Sequence, residues 1–242
     1  MITAHSDVVG SLLRPSWLLK AQQDFAAGLL NQAAFKVIED QAVDEAVAMQ
    51  QEAGLEVITD GEMRRQSFQD QMVAAVDGFG EATLDSFVWG EWHGDTEIGD
   101  RSVARPATMG VVGKLKRRRH LAAEEFIYLR ARTTRIPKVT LPSPSLLSNF
   151  WSRKRSTESY PTLDDFLADV TSILREEVKE LARLGAQYIQ LDAPHYPLLV
   201  DPKMRDFYQS RGWNADEWLT HGIELDNAVM ADFPQITFGF HL

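Results

Sequence analysis

Gln187-Tyr188-Ile189-Gln190-Leu191-Asp192-Ala193-Pro194 is the stretch whose reading decides the fold. A helical pattern runs up to Gly185, an apolar β-type run follows, and a carboxylate stands where Pro194 ends the strand. In an α/β protein a parallel strand delivers its C-terminal residues to the face where ligands bind. Asp192 is therefore the first candidate for a functional residue. The plainer alternative is that it caps the next segment or accepts a hydrogen bond from a neighbouring loop.

Working outward, the same unit recurs: helix, glycine stop, short β run, acidic residue. A helix over about Gln32 to Glu52 carries Ala34, Val37, Ile38, Ala42, Val43, Ala46, Val47 and Met49 at helical spacing, and Gly54 stops it. Leu55 to Ile58 then leads into Asp60-Gly61-Glu62. The helix over Leu163 to Leu184 shows one apolar face in Phe166, Val170, Ile173, Leu174, Val178 and Leu181. Near the start, Ser6 to Val9 reads as a strand turning at Gly10-Ser11, with Arg14-Pro15 opening a helix. Lys138 to Leu141 is a strand ended by Pro142 and Pro144, and helical segments over about Lys203 to Ser210 and Ala215 to Ala231 lead to a final strand at Gln235 to Leu242. Between Arg64 and Arg119 the pattern is broken by glycines. A hairpin excursion is expected around residues 79–105, with Arg105 to Lys114 returning to the sheet.

Strands are thus expected near residues 6, 56, 107, 138, 188 and 236 in a single domain over 1–242. Strand-helix alternation implies a parallel sheet, and the periodicity leaves two forms open, an open doubly wound sheet and an incomplete barrel. A closed (β/α)8 barrel needs eight strands, about two more than the pattern supplies.

Composition bounds the function. The 242 residues are 44% hydrophobic and 25% charged, an ordinary globular balance. The formal charge of −10 argues against a nucleic-acid partner. The basic run Lys114 to His120 reads as a solvated strand end and helix start. No apolar run is long enough to span a membrane, and Met1 to Asp7 has no signal-peptide character, so a cytoplasmic protein is expected. Zero cysteines exclude disulfides and thiolate chemistry supplied by this chain.

Polar residues stand at four strand ends: Gly10 with Ser11, Asp60 with Glu62, Asp192, and His241. If the strands are parallel neighbours, these groups line one mouth suited to a small zwitterion, carboxylates taking an ammonium and backbone N–H groups taking a carboxylate. His5, His93, His120, His195 and His221 are scattered without metal spacing, His195 being nearest the mouth.

Val9-Gly10-Ser11-Leu12-Leu13-Arg14-Pro15, Ile58-Thr59-Asp60-Gly61-Glu62-Met63-Arg64, Gln190-Leu191-Asp192-Ala193-Pro194 and Phe240-His241-Leu242 resemble, in order, signature segments of the cobalamin-independent methionine synthase family, above all its short single-barrel members. The resemblance implies a TIM-type (β/α)8 barrel that transfers a methyl group from a methylated folate to the thiol of homocysteine. By that likeness Ser11, Glu62 and Asp192 hold the amino acid, His241 is the first ligand of a catalytic zinc, and Trp151 is a looser candidate for stacking on the folate, with buried structural use as its alternative. Zinc would lower the thiol pKa and present a thiolate.

The departures carry equal weight. The family's zinc histidine is followed two residues later by a cysteine, and here Leu242 is the last residue. With no cysteine, four-coordinate zinc cannot be assembled by this polypeptide, so stable zinc binding is not expected. Ala193 stands where an acidic residue is common and Val8 where short members have histidine, which leaves another thiol substrate open. Two accounts fit: a barrel cut after its sixth strand, or a shortened relative that keeps the amino-acid pocket without metal chemistry. Either predicts little turnover alone and self-association through open barrel edges. A non-catalytic small-molecule binding protein and a zinc-dependent alkyl transferase acting on another thiol are the alternatives.

Overall fold

The computed structural model describes residues 6–65, 70–81, 109–210 and 212–242. In chain order the helices are α1 (Ser16–Ala26), α2 (Gln32–Glu52), α3 (Asp70–Ala75), α4 (Ala123–Arg130), α5 (Leu163–Arg183), α6 (Tyr196–Val200), α7 (Pro202–Ser210) and α8 (Ala215–Met230), with a 3₁₀ turn at Pro144–Phe150. The strands are β1 (Val57–Ile58), β2 (Val76–Glu81), β3 (Met109–Arg117), β4 (Ile136–Pro142), β5 (Tyr188–Asp192) and β6 (Thr237–His241).

β1, β4, β5 and β6 form one parallel sheet in that order. The register places Pro142 beside Asp192 and Asp192 beside His241, so the strand C-termini end at one rim. β1 and β6 do not pair with each other, and the fold is a TIM-type barrel left unclosed.

Two helices end as their glycines dictate. Gly54 (φ 78°) and Gly185 (φ 91°) adopt the left-handed conformation that a side chain disfavours. Each lets the next amide reach back, Leu55 N–H to Gln50 O at 3.1 Å and Ala186 N–H to Leu181 O at 2.9 Å, which closes the helix and turns the chain into a strand. α5 starts as firmly. Thr162 Oγ1 accepts from Asp165 N–H and Asp165 returns a bond to Thr162 N–H, both at 3.1 Å.

Phe166, Val170, Leu174, Val178 and Leu181 of α5 are fully buried against Val139 and Leu141 of β4 and Ile189 and Leu191 of β5. Ile173 sits at the margin of that core. Glu177 lies on the same buried face, where its carboxylate accepts from the N–H groups of Leu121 and Ala122 at 2.9 and 2.8 Å and contacts His120 Nδ1 at 3.0 Å. α2 buries Ala42, Val43, Ala46 and Val47 in a second cluster with Leu18 and Ile58. Val37 and Met49 are exposed, off the face on which Ala42, Val43, Ala46, Val47 and Gln50 are buried.

Two expected strands are corrected. Residues 6–9 form no strand. Their segment is held by side chains instead of a ladder: Lys138 Nζ donates to Asp7 and to the Val8 carbonyl, Gln190 Nε2 to Val9 O, and Thr59 Oγ1 to Gly10 O. The run expected to return to the sheet near residue 107 pairs, from Met109 onward, with β2 in a separate antiparallel ribbon. A bulge between Asp77 and Phe79, at Gly78 (φ 109°), interrupts the ladder of that ribbon, which buries Val76 and Val111 in the main core. Residues 82–105 of the expected excursion, with His93, lie outside the described residues, as does His5. Among the described residues, no helix is long and apolar enough to cross a membrane.

Candidate functional site

The turn after β1 builds the centre of the rim. Asp60 Oδ1 accepts from Glu62 N–H at 2.9 Å, and Gly61 and Glu62 both take positive φ, 68° and 54°. Glycine does this freely, whereas for a glutamate it is a local strain that aims the side chain inward. There the Glu62 carboxylate accepts from Ser11 Oγ, from Thr140 Oγ1 at 2.6 Å and from Arg65 Nη1 at 2.9 Å. Burial alone would raise its pKa, but the Arg65 guanidinium and the two hydroxyls hold it below the usual carboxylate range. Gly10 lets the Ser11 segment pass this close: a Cβ there would lie 2.8 Å from Glu62 Oε1.

Arg65 is the cation under this rim. It is buried, and it binds Glu62 on one side and Glu125 of α4 on the other, at 2.7 Å through Nη2 and 3.1 Å through Nε. Nη1 also reaches Thr140 Oγ1 at 2.6 Å. The neighbouring carboxylates outweigh burial and hold the guanidinium firmly charged. Asp60 is buried too. Its Oδ2 has no hydrogen-bond partner, and burial with the nearby Glu125 charge pushes its pKa up to about 6.

The other half of the rim belongs to β5 and β6. Asp192 Oδ1 accepts from Gln190 Nε2 at 2.7 Å and lies 3.4 Å from His241 Nδ1. Burial, with the Glu62 charge behind it, raises the Asp192 pKa against the Gln190 bond and His241. Because Gln190 Nε2 also bonds Val9 O at 2.6 Å, the Ser11 segment and Asp192 share one amide. The structure therefore brings Gly10, Ser11, Asp60, Glu62, Asp192 and His241 to a single rim.

Trp151 stands elsewhere. Its Nε1–H donates to Tyr160 O at 3.1 Å, and its ring packs on the main core. His195, which the sequence puts near the mouth, is sunk beneath the rim. Its Nε2 meets Ser145 Oγ at 2.8 Å, Nδ1 has no hydrogen-bond partner, and burial lowers its pKa to about 4. Below the rim, Ser143 Oγ donates to Asp226 at 2.8 Å, and Asp226 also accepts from Tyr196. Sequence reasoning missed Arg65, Thr140, Gln190 and Lys138. Period-2 alternation of polar Lys138, Thr140, Gln190 and Asp192 with apolar Val139, Leu141, Ile189 and Leu191 is the signal that points to Lys138, Thr140 and Gln190; Arg65 carries no such signal.

Zinc does not fit the donor set present. The chain has no cysteine, and among the described residues no three His, Asp or Glu side chains gather as a metal site would require. At the rim His241 Nδ1 faces the Asp192 carboxylate.

A parallel α/β barrel sheet with buried carboxylates gathered at its strand C-termini defines the class: a protein of the TIM-barrel type. Residues 1–238 match the family described as cobalamin-independent synthase, catalytic domain, and the chain belongs to that family. It is 28% identical to the uncharacterized protein YxjH of Bacillus subtilis over 98% of this chain and 61% of that one. It is 30% identical to the methionine synthase of Pyrococcus abyssi over 78% of this chain and 51% of that one. The fold is also that of the putative vitamin-B12-independent methionine synthase from Listeria monocytogenes, with a TM-score of 0.65 and 21% identity over 98% of this chain and 64% of that one. A B12-independent methionine synthase from Shewanella sp. W3-18-1, solved in complex with selenomethionine, gives 0.63 and 20% over 88% and 54%. The chain spans about half to two-thirds of the length of these relatives.

Arg65→Met is expected to cost about 3–5 kcal/mol in urea unfolding, because it strands the buried Glu62 carboxylate and the partly buried Glu125 one. His195 gives a pH dependence whose sign follows from its lowered pKa. The unfolded chain takes up a proton near pH 6.5 and the folded one only near 4, so stability falls as pH drops through that window, by at most about 3 kcal/mol. His195→Gln should flatten that part of a stability–pH curve.

Proposed function

We propose that this chain carries the amino-acid pocket of a methyl-transfer site, binding a thiol amino acid, homocysteine or its methylated product methionine. The observation that supports the reading best is the convergence of Ser11, Glu62 and Asp192 on one rim, from segments far apart in sequence. The names of the relatives and the selenomethionine in the Shewanella protein point the same way.

In this reading Asp192 takes the ammonium group. The Ser11 hydroxyl, together with backbone N–H groups around Gly10, takes the carboxylate once it swings off Glu62. Glu62 already has Arg65 and Thr140 as donors, so it contributes negative field beside the ammonium more than a free acceptor. The side chain of the ligand then extends along the rim toward His241. In the reaction of the longer relatives, the homocysteine sulfur would form a bond to the methyl carbon as the bond from that carbon to the folate nitrogen breaks, the thiol proton leaving and the nitrogen recovering one. Zinc would supply the thiolate there. The donors of this chain do not hold it, so little or no turnover is assigned to this polypeptide by itself.

The incomplete donor set also favours a second reading, a cytoplasmic small-molecule binding protein that uses the same pocket without chemistry. Under both, the unpaired edges of β1 and β6 associate with another copy. Phe240 and Leu242 on and beside the β6 edge are 43% and 64% exposed.

Calorimetric titration should show methionine and homocysteine binding, weakened about tenfold or more by Asp192→Asn. Methyl transfer from a methylated folate to homocysteine should be absent; turnover by the purified chain would overturn the assignment of an inactive pocket, and failure of both amino acids to bind would overturn the pocket itself. Light scattering should give a mass above that of one chain, and a monodisperse monomer at tens of micromolar would count against edge pairing.

A further inference from the structure

The sheet interior holds one cation that the pocket itself does not explain. The Lys138 side chain of β4 is wholly buried, and its ammonium group donates to Asp7 Oδ2 at 2.7 Å, to the Val8 carbonyl and to Gln190 Oε1 at 2.8 Å. Three N–H groups meet three acceptors, so the ammonium is saturated.

The consequence falls on Gln190. A carboxamide has nearly the same shape either way round, and its neighbours decide which end is oxygen. With an ammonium at one end, the oxygen must face it, since an NH2 there would set donor against donor. The two amide hydrogens then point the other way, one to Val9 O at 2.6 Å and one to Asp192 Oδ1 at 2.7 Å. Every hydrogen of this amide is committed. The segment it holds lacks a ladder, and side chains fix it to the sheet, Gln190 of β5 through the Val9 carbonyl.

We propose that Gln190, with its amide oriented by Lys138, is the positioning residue of the pocket: it fixes the Asp192 carboxylate and the Gly10-Ser11 segment in one spatial relation, that of the two ends of an α-amino acid. A network that served packing alone would be replaceable by apolar side chains of similar volume. Here each donor instead ends on a group of the rim or on the segment that carries Ser11. The identity of the ligand rests on the reading proposed above, whereas the clamp exists without any ligand.

The test uses the full chain and two kinds of readout. In calorimetry, L-methionine is compared with 4-(methylthio)butanoate, which lacks the ammonium, and with 3-(methylthio)propylamine, which lacks the carboxylate. Wild type is expected to prefer methionine over both analogues. Gln190→Leu, which keeps bulk, and Gln190→Glu, which keeps an acceptor for Lys138 but has no donor, should each lose about tenfold or more of that preference. A merely structural role would weaken all three ligands alike. In NMR spectra without ligand, the Gln190 side-chain amide hydrogens should exchange slowly in wild type and quickly in Lys138→Met, with the rest of the spectrum still dispersed. Retained preference in both Gln190 variants, or equal protection in Lys138→Met, overturns the proposal. Protection that depends on Lys138 in a wild type without preference for methionine would overturn the amino-acid reading and leave the clamp standing.

Discussion

A carboxylate taken out of water must find positive charge and hydrogen-bond donors, and that constraint organises the rim of this protein. Glu62 is buried because the turn after β1 turns inward, and Arg65, three residues on, is buried to meet it. Arg65 in turn needs more negative charge than Glu62 spares, which draws in Glu125 and fixes α4 against the sheet. Thr140 and Ser11 complete the shell and tie β4 and the N-terminal segment to the same carboxylate. Removing Glu62 or Arg65 leaves a buried opposite charge short of its partner, so the two are expected to resist separate change.

Much of this was legible in the sequence because it follows from local rules. Gly54 and Gly185 announce helix ends, the spacing of Phe166 through Leu181 announces the α5 face, and the acidic residues after β1 and β5 announce the rim. What was not legible depends on long-range partners. Ser6 to Val9 looks like a strand, but the ladder it would need is replaced by donors from Lys138, Gln190 and Thr59. Val37 and Met49 count toward the apolar period of α2, yet the face that turns inward is that of Ala42, Val43, Ala46, Val47 and Gln50. Arg65 reads as an ordinary surface arginine until the fold surrounds it with Glu62 and Glu125. Residue 109 onward has strand character, and only its pairing with β2 tells that it lies outside the parallel sheet.

The likeness to cobalamin-independent synthases places the chain in a family, and its own residues narrow what it brings to that family's chemistry. Ser11, Glu62 and Arg65 are interlocked at the rim, and Gln190 ties Asp192 to the segment that carries Ser11. Among the described residues, the His241 imidazole stands beside Asp192.

The alternation along β4 and β5 carries a further consequence for how the chain reaches this fold. Lys138 and Thr140 face the polar interior while Val139 and Leu141 face α5, and Gln190 and Asp192 follow the same rule against Ile189 and Leu191. Sliding one strand past the other by a single residue would push an ammonium group into the aliphatic layer and leave valine among carboxylates. The charged interior therefore acts as a proofreader during assembly: misaligned sheets are penalised by the same buried charges that hold the aligned strands together.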